Sequence, residues 1–428
     1  MSAQSSLETP LAHFPVSRLP SGRLGNLVID PRAGIGPDDA AIIAIYLSPA
    51  LRVSRDRHGT AIAQLVQAGV LPNPVLSYSR DFITGGNTVD TTTAYNFTAT
   101  WEISALVPLL AKQSAARANL RSVDLDVAWT EWQLAENART AIYRVVGLRE
   151  ELASAREAEQ ELTQSAEAMR AATEAHEKTL LDFGAAKAAQ QDAQATTLGL
   201  EQESEKQLLV LKRTLGIPSE SEVRLRNGIG LPAHLDPPGQ RALMDGLENR
   251  RLDLVALQEG YRSQGATVRA AILAQFPRIT IGGSKASDTT NVHTEGFNIS
   301  IDLPVFDRNQ GVIATERATR QRLLDEYQLR VFEAHSDIAT ALADIRSLNK
   351  QVAASEQALP AFEGLVTSAE AALREGNTDV LAYYTARSGL LQRRIQLIKL
   401  KEQLLEAQAA LELASGRFLP TNAAMHVK

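Results

Sequence analysis

The sequence predicts a mostly α-helical chain with long antiparallel helical hairpins, four short β-strands and an internal two-fold repeat. Ala, Leu, Glu, Gln and Arg, which favour long helices, dominate the composition. Two runs, Tyr95–Ser104 and Phe297–Leu303, alternate apolar and polar residues as half-exposed strands do. Each run soon reaches a proline, Pro108 or Pro304, after which a helical pattern continues for about seventy residues.

The first half of the chain divides into an arm and a predicted repeat. Residues 1–36 are punctuated by Pro and Gly and show no periodicity, so we expect an extended arm. The predicted repeat covers residues 37–216. It contains, in order, a helix Pro37–Ala68 with a kink at Pro49, a strand Val75–Ile83, the strand Tyr95–Ser104, a helix Leu109–Leu181 and a shorter helix after Gly184.

The second half repeats this order. A Pro/Gly-rich linker, residues 217–240, is followed by a predicted second repeat, residues 241–416, and a tail, residues 417–428. This repeat contains a helix Arg241–Gln275, strands Arg278–Gly283 and Phe297–Leu303, a helix Asp307–Arg374 that Pro360 should kink, and a last helix that ends at Gly416. Pro108, Gly184 and Gly216 recur at nearly equal spacing as Pro304, Gly376 and Gly416, which indicates a duplication.

The alternating runs have one apolar and one polar face. In Phe297–Leu303 the apolar side chains are Phe297, Ile299, Ile301 and Leu303, and in Tyr95–Ser104 they are Tyr95, Phe97, Ala99, Trp101 and Ile103. One interpretation is a half-buried strand in a soluble sandwich. However, four strands are too few to close a sheet, and each half offers no further strands to pack on. Several chains that contribute four strands each would close one small membrane β-barrel, apolar outside and polar inside.

Composition and motifs exclude several function classes. A net charge of −6 with mixed signs gives no basic surface for nucleic acid. The absence of cysteine excludes disulfides, thiolate metal sites, a cysteine nucleophile and a lipid-anchored cysteine. The seven histidines are scattered, no carboxylate pair stands out as acid and base, and Gly282-Gly283 lacks the Lys-Ser/Thr of a phosphate loop. We therefore expect no catalytic residue, no cofactor, no metal and no enzyme activity.

Targeting signals are not visible. No apolar run reaches the ~18–20 residues of a membrane-spanning helix. The N-terminal residues lack the basic start and apolar segment of a secretory signal. Export would then require a signal that has been removed or that lies upstream of residue 1.

Two functions from different classes remain open. The first is a passive export duct with a polar lumen, and the second is a soluble coiled-coil scaffold. A scaffold explains the helices, but it explains neither the strand pairs nor the proline and helix start that follow each of them. An enzyme ranks third.

Several segments together resemble the TolC-type outer-membrane efflux protein family. Leu303–Gly311 resembles the family's strand-to-helix junction, and Leu71–Pro74 resembles the entry to its first hairpin. Phe183-Gly184 and Glu375–Leu381 resemble its two helix–turn–helix tips, and Leu411–Gly416 resembles the end of its last helix. Phe183 and Glu375 depart from the branched aliphatic residue that is usual before the tip glycine.

The resemblance implies the assembly and its place in the cell. It implies a homotrimer whose twelve strands form one barrel in outer-membrane lipid and whose helices form an α-barrel that extends into the periplasm. A periplasmic adaptor protein and an inner-membrane pump would dock on its entrance. The branch resembled most serves resistance–nodulation–division pumps, so the cargo would be small solutes such as heavy-metal ions or drugs.

Three groups of candidate site residues follow. The periplasmic tips, which would bind the adaptor and gate the duct, contain Phe183, Gly184, Ala185, Arg374, Glu375, Gly376, Asp379 and Val380. We expect Gly184 and Gly376 to take positive φ in tight reversals and Asp379 to cap a helix or join a gating ion pair; plain caps without a gating role are the alternative. The lipid-facing residues are Tyr95, Phe97, Trp101, Ile103, Phe297, Ile299 and Ile301, with packing inside a sheet as the alternative. The strand-to-helix junction contains Pro304, Phe306 and Gly311.

Overall fold

The computed structural model of the protein describes residues 34–86, 89–375 and 379–419. The helices are α1 (Pro37–Leu47), α2 (Pro49–Ala68), α3 (Leu109–Glu174), α4 (Leu180–Leu215), α5 (Gln240–Met244), α6 (Leu247–Arg250), α7 (Leu252–Leu273), α8 (Gln310–Arg374) and α9 (Val380–Ser415). The strands are β1 (Val75–Asp81), β2 (Ala94–Glu102), β3 (Arg278–Ser287) and β4 (His293–Asp302). The predicted fold class, mostly helical with four antiparallel strands, is confirmed. The internal repeat and the predicted segment boundaries stay predictions.

The two predicted helix breaks at prolines turn out differently. Ser48, which precedes Pro49, has ψ 121 and separates α1 from α2, because a residue before proline avoids the helical region. Pro360 lies inside α8, and the helix continues through it. Pro360 therefore does not interrupt this helix, since proline removes one backbone donor while the turns on either side remain bonded. A kink at Pro360 stays a prediction.

The predicted single helix Arg241–Gln275 is wrong, because this segment forms three helices, α5, α6 and α7. Gly246 takes φ 66 between the first two. The guanidinium of Arg250 donates to the carbonyl oxygens of Leu243, Asp245 and Ser415 at 2.7, 2.8 and 3.0 Å. These bonds satisfy carbonyls that a helix end leaves without partners, so they stabilise the break.

The chain divides into two compact units. In its described part, one unit contains residues 34–52, 130–250, 333–375 and 379–419, and the other contains residues 53–86, 89–129 and 251–332. Both units draw on both halves of the sequence.

The first unit has an apolar core around α1. Ile42 and Ile43 of α1 pack with Ile142 of α3 and Leu211 and Leu215 of α4. Gly216 ends α4 with φ 72, and a Cβ at this position would lie 2.6 Å from the carbonyl oxygen of Leu47. Only glycine fits here, because the left-handed backbone and the close approach both exclude a side chain.

The second unit contains the sheet. Its strand order is β1-β2-β3-β4, and all neighbours are antiparallel. A short 3₁₀ turn, Ser104–Leu106, connects β2 to α3. Strands β3 and β4 run further than the predicted Arg278–Gly283 and Phe297–Leu303, to Ser287 and back to His293.

Candidate functional site at the sheet and the helix ends

The register of the sheet collects apolar side chains on one face. Directly opposite residues in antiparallel strands point to the same face. Trp101 is opposite Ile281, and Ile281 is opposite Ile299. By the same register this face contains Leu76, Tyr78, Tyr95, Phe97, Ala99, Trp101, Ile279, Ile281, Phe297, Ile299 and Ile301. At the end of the sheet nearest the β3–β4 turn it also carries Arg80, His293 and the ion pair of Lys285 with Glu295.

The opposite face is polar. It presents Ser77, Ser79, Asn96, Thr98, Thr100, Thr280, Ser284, Asn298 and Ser300. A sheet with one apolar and one polar face suits a wall between lipid and water.

The sheet is open at both sides. Within residues 34–86, 89–375 and 379–419, neither β1 nor β4 pairs with a further strand on its outer edge. Every residue of β1 and β4 is exposed, and Phe297 has 73% of its surface accessible. Unpaired edges beside an exposed apolar face are a liability in water unless another chain covers them.

Six of the seven residues predicted to face lipid lie in strands on one sheet face: Tyr95, Phe97, Trp101, Phe297, Ile299 and Ile301. Ile103 does not lie in a strand, because β2 ends at Glu102 and Ile103 begins the 3₁₀ turn. Sequence reasoning missed Leu76, Tyr78, Ile279 and Ile281, although Ile279 and Ile281 show the same alternation. Contact with lipid stays a prediction for all of them.

The Trp101 indole has a polar partner. Its Nε1 donates to the carbonyl oxygen of Pro72 at 2.8 Å. A partly buried ring with a satisfied N–H is suited to the boundary between an apolar and an aqueous region.

The predicted strand-to-helix junction lies between β4 and α8. Phe306 is 93% exposed, and Gly311 is the second residue of α8. Asn309 takes φ 60, its backbone N–H donates to Asp307 Oδ1 at 2.8 Å, and its Nδ2 donates to the carbonyl oxygen of Ala271 at 2.8 Å. Asn309 therefore makes the turn in this junction, and Pro304 lies before it.

The first helix end differs from its prediction. The chain reverses at residues 175–179, where His176 has φ 60, and not at Gly184, which lies inside α4. Thr179 caps α4: its hydroxyl accepts from the N–H of Asp182 at 3.1 Å, and Asp182 Oδ2 accepts from the N–H of Thr179 at 3.0 Å. This reciprocal pair starts the helix before Phe183-Gly184, so the expected positive φ at Gly184 is wrong.

The hydrogen bonds between Thr179 and Asp182 also change the pKa of the Asp182 carboxyl group. The backbone N–H and the hydroxyl group of Thr179 both donate to the carboxylate of Asp182, and these bonds lower the pKa of Asp182 below its ordinary value. The Asp182 side chain is therefore charged at neutral pH.

The second helix end begins with the expected cap. Asp379 Oδ1 accepts from the N–H of Leu381 at 3.1 Å, and Val380 is buried. Arg374 forms an ion pair with Glu370, one turn earlier in α8, and Glu375 follows at the end of that helix. Gly376 lies outside the described residues.

Both helix ends meet in one apolar cluster, which we call the tip cluster. Its buried members are Leu162, Ala166, Met169, Ala186, Ala189, Ala193, Val366, Val380, Tyr383, Tyr384, Ala386 and Leu390, with Phe183, Ala185 and Leu373 among the residues packed against it. The structure thus brings predicted residues of both tips together. Alanines in α4 permit close helix packing here.

Two exposed leucines at this end were missed by sequence reasoning. Leu180 and Leu181, the first residues of α4, are 80% and 83% exposed. The sequence pattern had placed them at the end of a continuous helix. The signal that would have found them is Thr179-x-x-Asp182, which starts a new helix directly before them.

Neither a metal-binding cluster nor a helix able to cross a membrane occurs among the described residues. In the part of the chain that the structure describes, no group of three or more His, Cys, Asp or Glu side chains is placed to hold a metal ion. None of the described helices is both long and apolar enough to cross a bilayer.

The chain is similar to known proteins both in sequence and in fold. A family model described as outer membrane efflux protein matches residues 243–417. The chain is 26% identical over 188 residues to the cobalt-zinc-cadmium resistance protein CzcC of Cupriavidus metallidurans, which covers 42% of this chain and 43% of CzcC. It is 26% identical over 161 residues to the cation efflux system protein CusC of Escherichia coli K12, 35% of each protein. These matches span less than half the length of either relative.

The fold comparison covers nearly the whole chain. The outer membrane protein VceC of Vibrio cholerae has a TM-score of 0.74 at 18% identity, over 89% of this chain and 96% of that one. The chain therefore shares the fold of VceC. The predicted resemblance to the outer membrane efflux protein family is therefore found in the family model over residues 243–417 and in the weaker similarity to CzcC and CusC.

Proposed function

We propose that this chain is the outer-membrane duct of a tripartite efflux system. Three copies close one barrel from their four-stranded sheets, and small solutes pass through its polar lumen from the periplasm to the exterior. The duct itself performs no chemistry, and a partner pump supplies the energy.

One observation carries this proposal: an open, two-faced sheet. An apolar outer face and a polar inner face are what a barrel wall needs in lipid. The unpaired edges of β1 and β4 allow the β4 edge of one copy to pair with the β1 edge of the next. Closure by copies would remove both edges, which lipid does not tolerate.

The helix ends are the proposed docking site for the periplasmic adaptor. Leu180 and Leu181 place exposed apolar surface beside the tip cluster, while capped helix starts at Thr179 and Asp379 keep the backbone in place. Such surface beside a rigid support is suited to a protein partner. Opening would require the helix ends that meet in the tip cluster to separate.

The cargo class comes from the relatives. CzcC is named for resistance to cobalt, zinc and cadmium, and CusC for cation efflux. Metal cations are therefore the first cargo to test. OpmQ of Pseudomonas putida, 25% identical over 214 residues, is named for export of pyoverdine, so an organic solute is the second.

The experiment is membrane fractionation of cells that produce the chain, followed by chemical cross-linking in detergent. We expect the chain in the outer membrane as a trimer that dissociates on heating. A monodisperse monomer that is soluble without detergent would instead support the scaffold function. Growth on cobalt, zinc and cadmium, with and without the chain, then tests the cargo.

A further inference from the structure

Glu402 of α9 fits against a gap in α3. A Cβ at Gly147 would overlap Oε1 of Glu402 and lie 2.5 Å from its Cδ and 2.7 Å from its Cγ. Any other residue at position 147 would displace this carboxyl group. The missing side chain therefore allows Glu402 to lie directly against the α3 backbone.

A second carboxyl group faces the same place. Glu151 follows Gly147 by one helical turn, on the same side of α3, and its side chain is 0% exposed. Among the described residues, neither carboxyl oxygen of Glu151 has a hydrogen-bond partner, and the same holds for Oε1 of Glu402. Buried carboxyl groups without donors are costly when both carry charge.

The surrounding cations compensate this charge only in part. Lys399 Nζ lies 3.8 Å from Glu151 Oε2, beyond hydrogen-bond distance. Arg144 of α3 lies near Glu402 but has its own partner, Glu406 of α9, at 3.7 Å. Arg144 is thus already paired with Glu406, and Lys399 lies too far from Glu151 to donate a hydrogen bond.

The neighbouring helices add further charged groups that are already paired. Lys401 of α9 bonds Glu356 of α8 at 2.8 Å and also attracts Glu150 of α3. From α4, Glu203 faces Arg144. None of these brings an additional donor to the two carboxyl groups.

We propose that Glu402 and Glu151 form a proton-binding site between α9 and α3, and that loss of the proton weakens the packing of these two helices. The site concerns the chain itself and does not depend on the proposed transport function. Where the chain acts as a duct, it would make the helical part loosen in alkaline surroundings.

The direction of the effect follows from the acid–base properties of Glu402. Burial, and then the charge of Glu151, raise the pKa of Glu402 from 4.5 to about 8. The folded chain therefore holds a proton that the unfolded chain releases above 4.5. The contribution of this proton to the free energy of unfolding is fully present below pH 4.5 and is lost as the pH rises to about 8.

The experiment compares thermal unfolding of the purified full-length protein, in whatever oligomeric state it is isolated, from pH 6 to 9. The wild-type midpoint should fall across this range, and Glu402→Gln, which keeps the shape without the charge, should remove most of the fall above pH 7. The matched control is Glu167→Gln, which removes an exposed carboxylate elsewhere on α3 and should keep the wild-type slope. A Glu402→Gln protein with the wild-type slope would overturn the proposal.

Two further measurements keep the test decisive if Glu402→Gln does not fold. Infrared spectra of the wild-type protein should show a protonated carboxyl band at pH 7 that is lost above pH 8. Glu151→Gln removes the neighbouring charge, so the pH at which this band is lost should fall. A band that is insensitive to pH between 6 and 9, or to Glu151→Gln, contradicts the paired site.

Discussion

The hydroxyl group of Tyr384 lies 2.8 Å from the hydroxyl group of Ser165. This bond joins α9 to α3 within the tip cluster, where Tyr384 is buried and its ring meets that of Tyr383 edge-on, with centroids 5.2 Å apart. The only polar group of the Tyr384 side chain therefore has a partner across the interface between two helices that opening of the tips would have to separate.

Removal of this bond should destabilise the helix ends modestly. Tyr384→Phe keeps the ring and loses the bond, so we expect unfolding free energy to fall by ~1 kcal/mol. Ser165→Ala should cost a similar amount. The double variant should cost little more than either single one, because both remove one bond. Fully additive losses in denaturant unfolding would show that the two hydroxyl groups act independently.

The two faces of β4 should respond oppositely to arginine. Phe297→Arg with Ile301→Arg places charges on the proposed lipid face, at ~2–4 kcal/mol for each arginine near the bilayer centre. The matched variant, Asn298→Arg with Ser300→Arg, adds the same charge in the same strand on the polar face. We expect the first pair to abolish outer-membrane trimers, measured by fractionation, and the second to preserve them. Equal loss from both pairs would refute the assigned faces.

Gly184 and Gly216 should respond oppositely to alanine. Gly184 lies in a helix and a Cβ there has nothing within 4 Å, so Gly184→Ala should stabilise by ~0.5–1 kcal/mol. Gly216 has φ 72 and lies against the backbone of Leu47, so Gly216→Ala should destabilise by more than ~1 kcal/mol. Thermal unfolding of both variants gives the answer. Destabilisation by Gly184→Ala would restore Gly184 as the residue that makes the reversal.

Glu412 should give the protein a second source of pH dependence. Glu412 Oε2 lies 3.4 Å from Arg139 Nη1, and Glu136 Oε1 lies 3.3 Å from the same atom, so two buried carboxyl groups share one guanidinium. Burial, followed by the charge of Glu136, raises the pKa of Glu412 from 4.5 to about 7. Because this pKa is raised, the contribution of Glu412 to the free energy of unfolding is fully present below pH 4.5 and is lost as the pH rises to about 7.

Glu412→Gln should therefore make the decline of the unfolding midpoint between pH 5 and 7 shallower, because only the Glu402 contribution remains there, and should leave the decline between pH 7 and 8 unchanged. The oxygen of Gln at position 412 can still accept from the N–H of Leu419, which Glu412 Oε1 accepts at 3.1 Å. Unfolding scans at half-unit steps in pH would separate the two groups. An unchanged midpoint curve in Glu412→Gln would exclude Glu412 as a proton-binding group.

The sequence predicted the strands best where the alternation was uninterrupted. It placed the end of β3 at Gly283, the second of two adjacent glycines, which usually weaken a strand. The strand continues because Gly282 is needed inside it: a Cβ there would lie 2.6 Å from the carbonyl oxygen of Ala99 in β2. Such an approach depends on the neighbouring strand, which no local pattern reveals.

The helix ends show the opposite lesson. The reversal before α4 was misplaced although its signal, Thr179 with Asp182 three residues later, was visible in the sequence. The glycine that follows seemed the stronger signal, but His176 takes the positive φ instead. The break between α5 and α6 had only the local signal Asp245-Gly246, and part of what holds Arg250 there, the carbonyl of Ser415, comes from a distant part of the sequence.

The unpaired margins of β1 and β4 also bear on biogenesis. In the proposed trimer, a newly made copy that has not yet met its partners would offer two unpaired strand edges to any extended segment nearby. Variants that slow assembly should consequently accumulate as insoluble aggregates and degradation fragments, with few free monomers. The balance between synthesis and association would then determine how much usable protein the cell obtains.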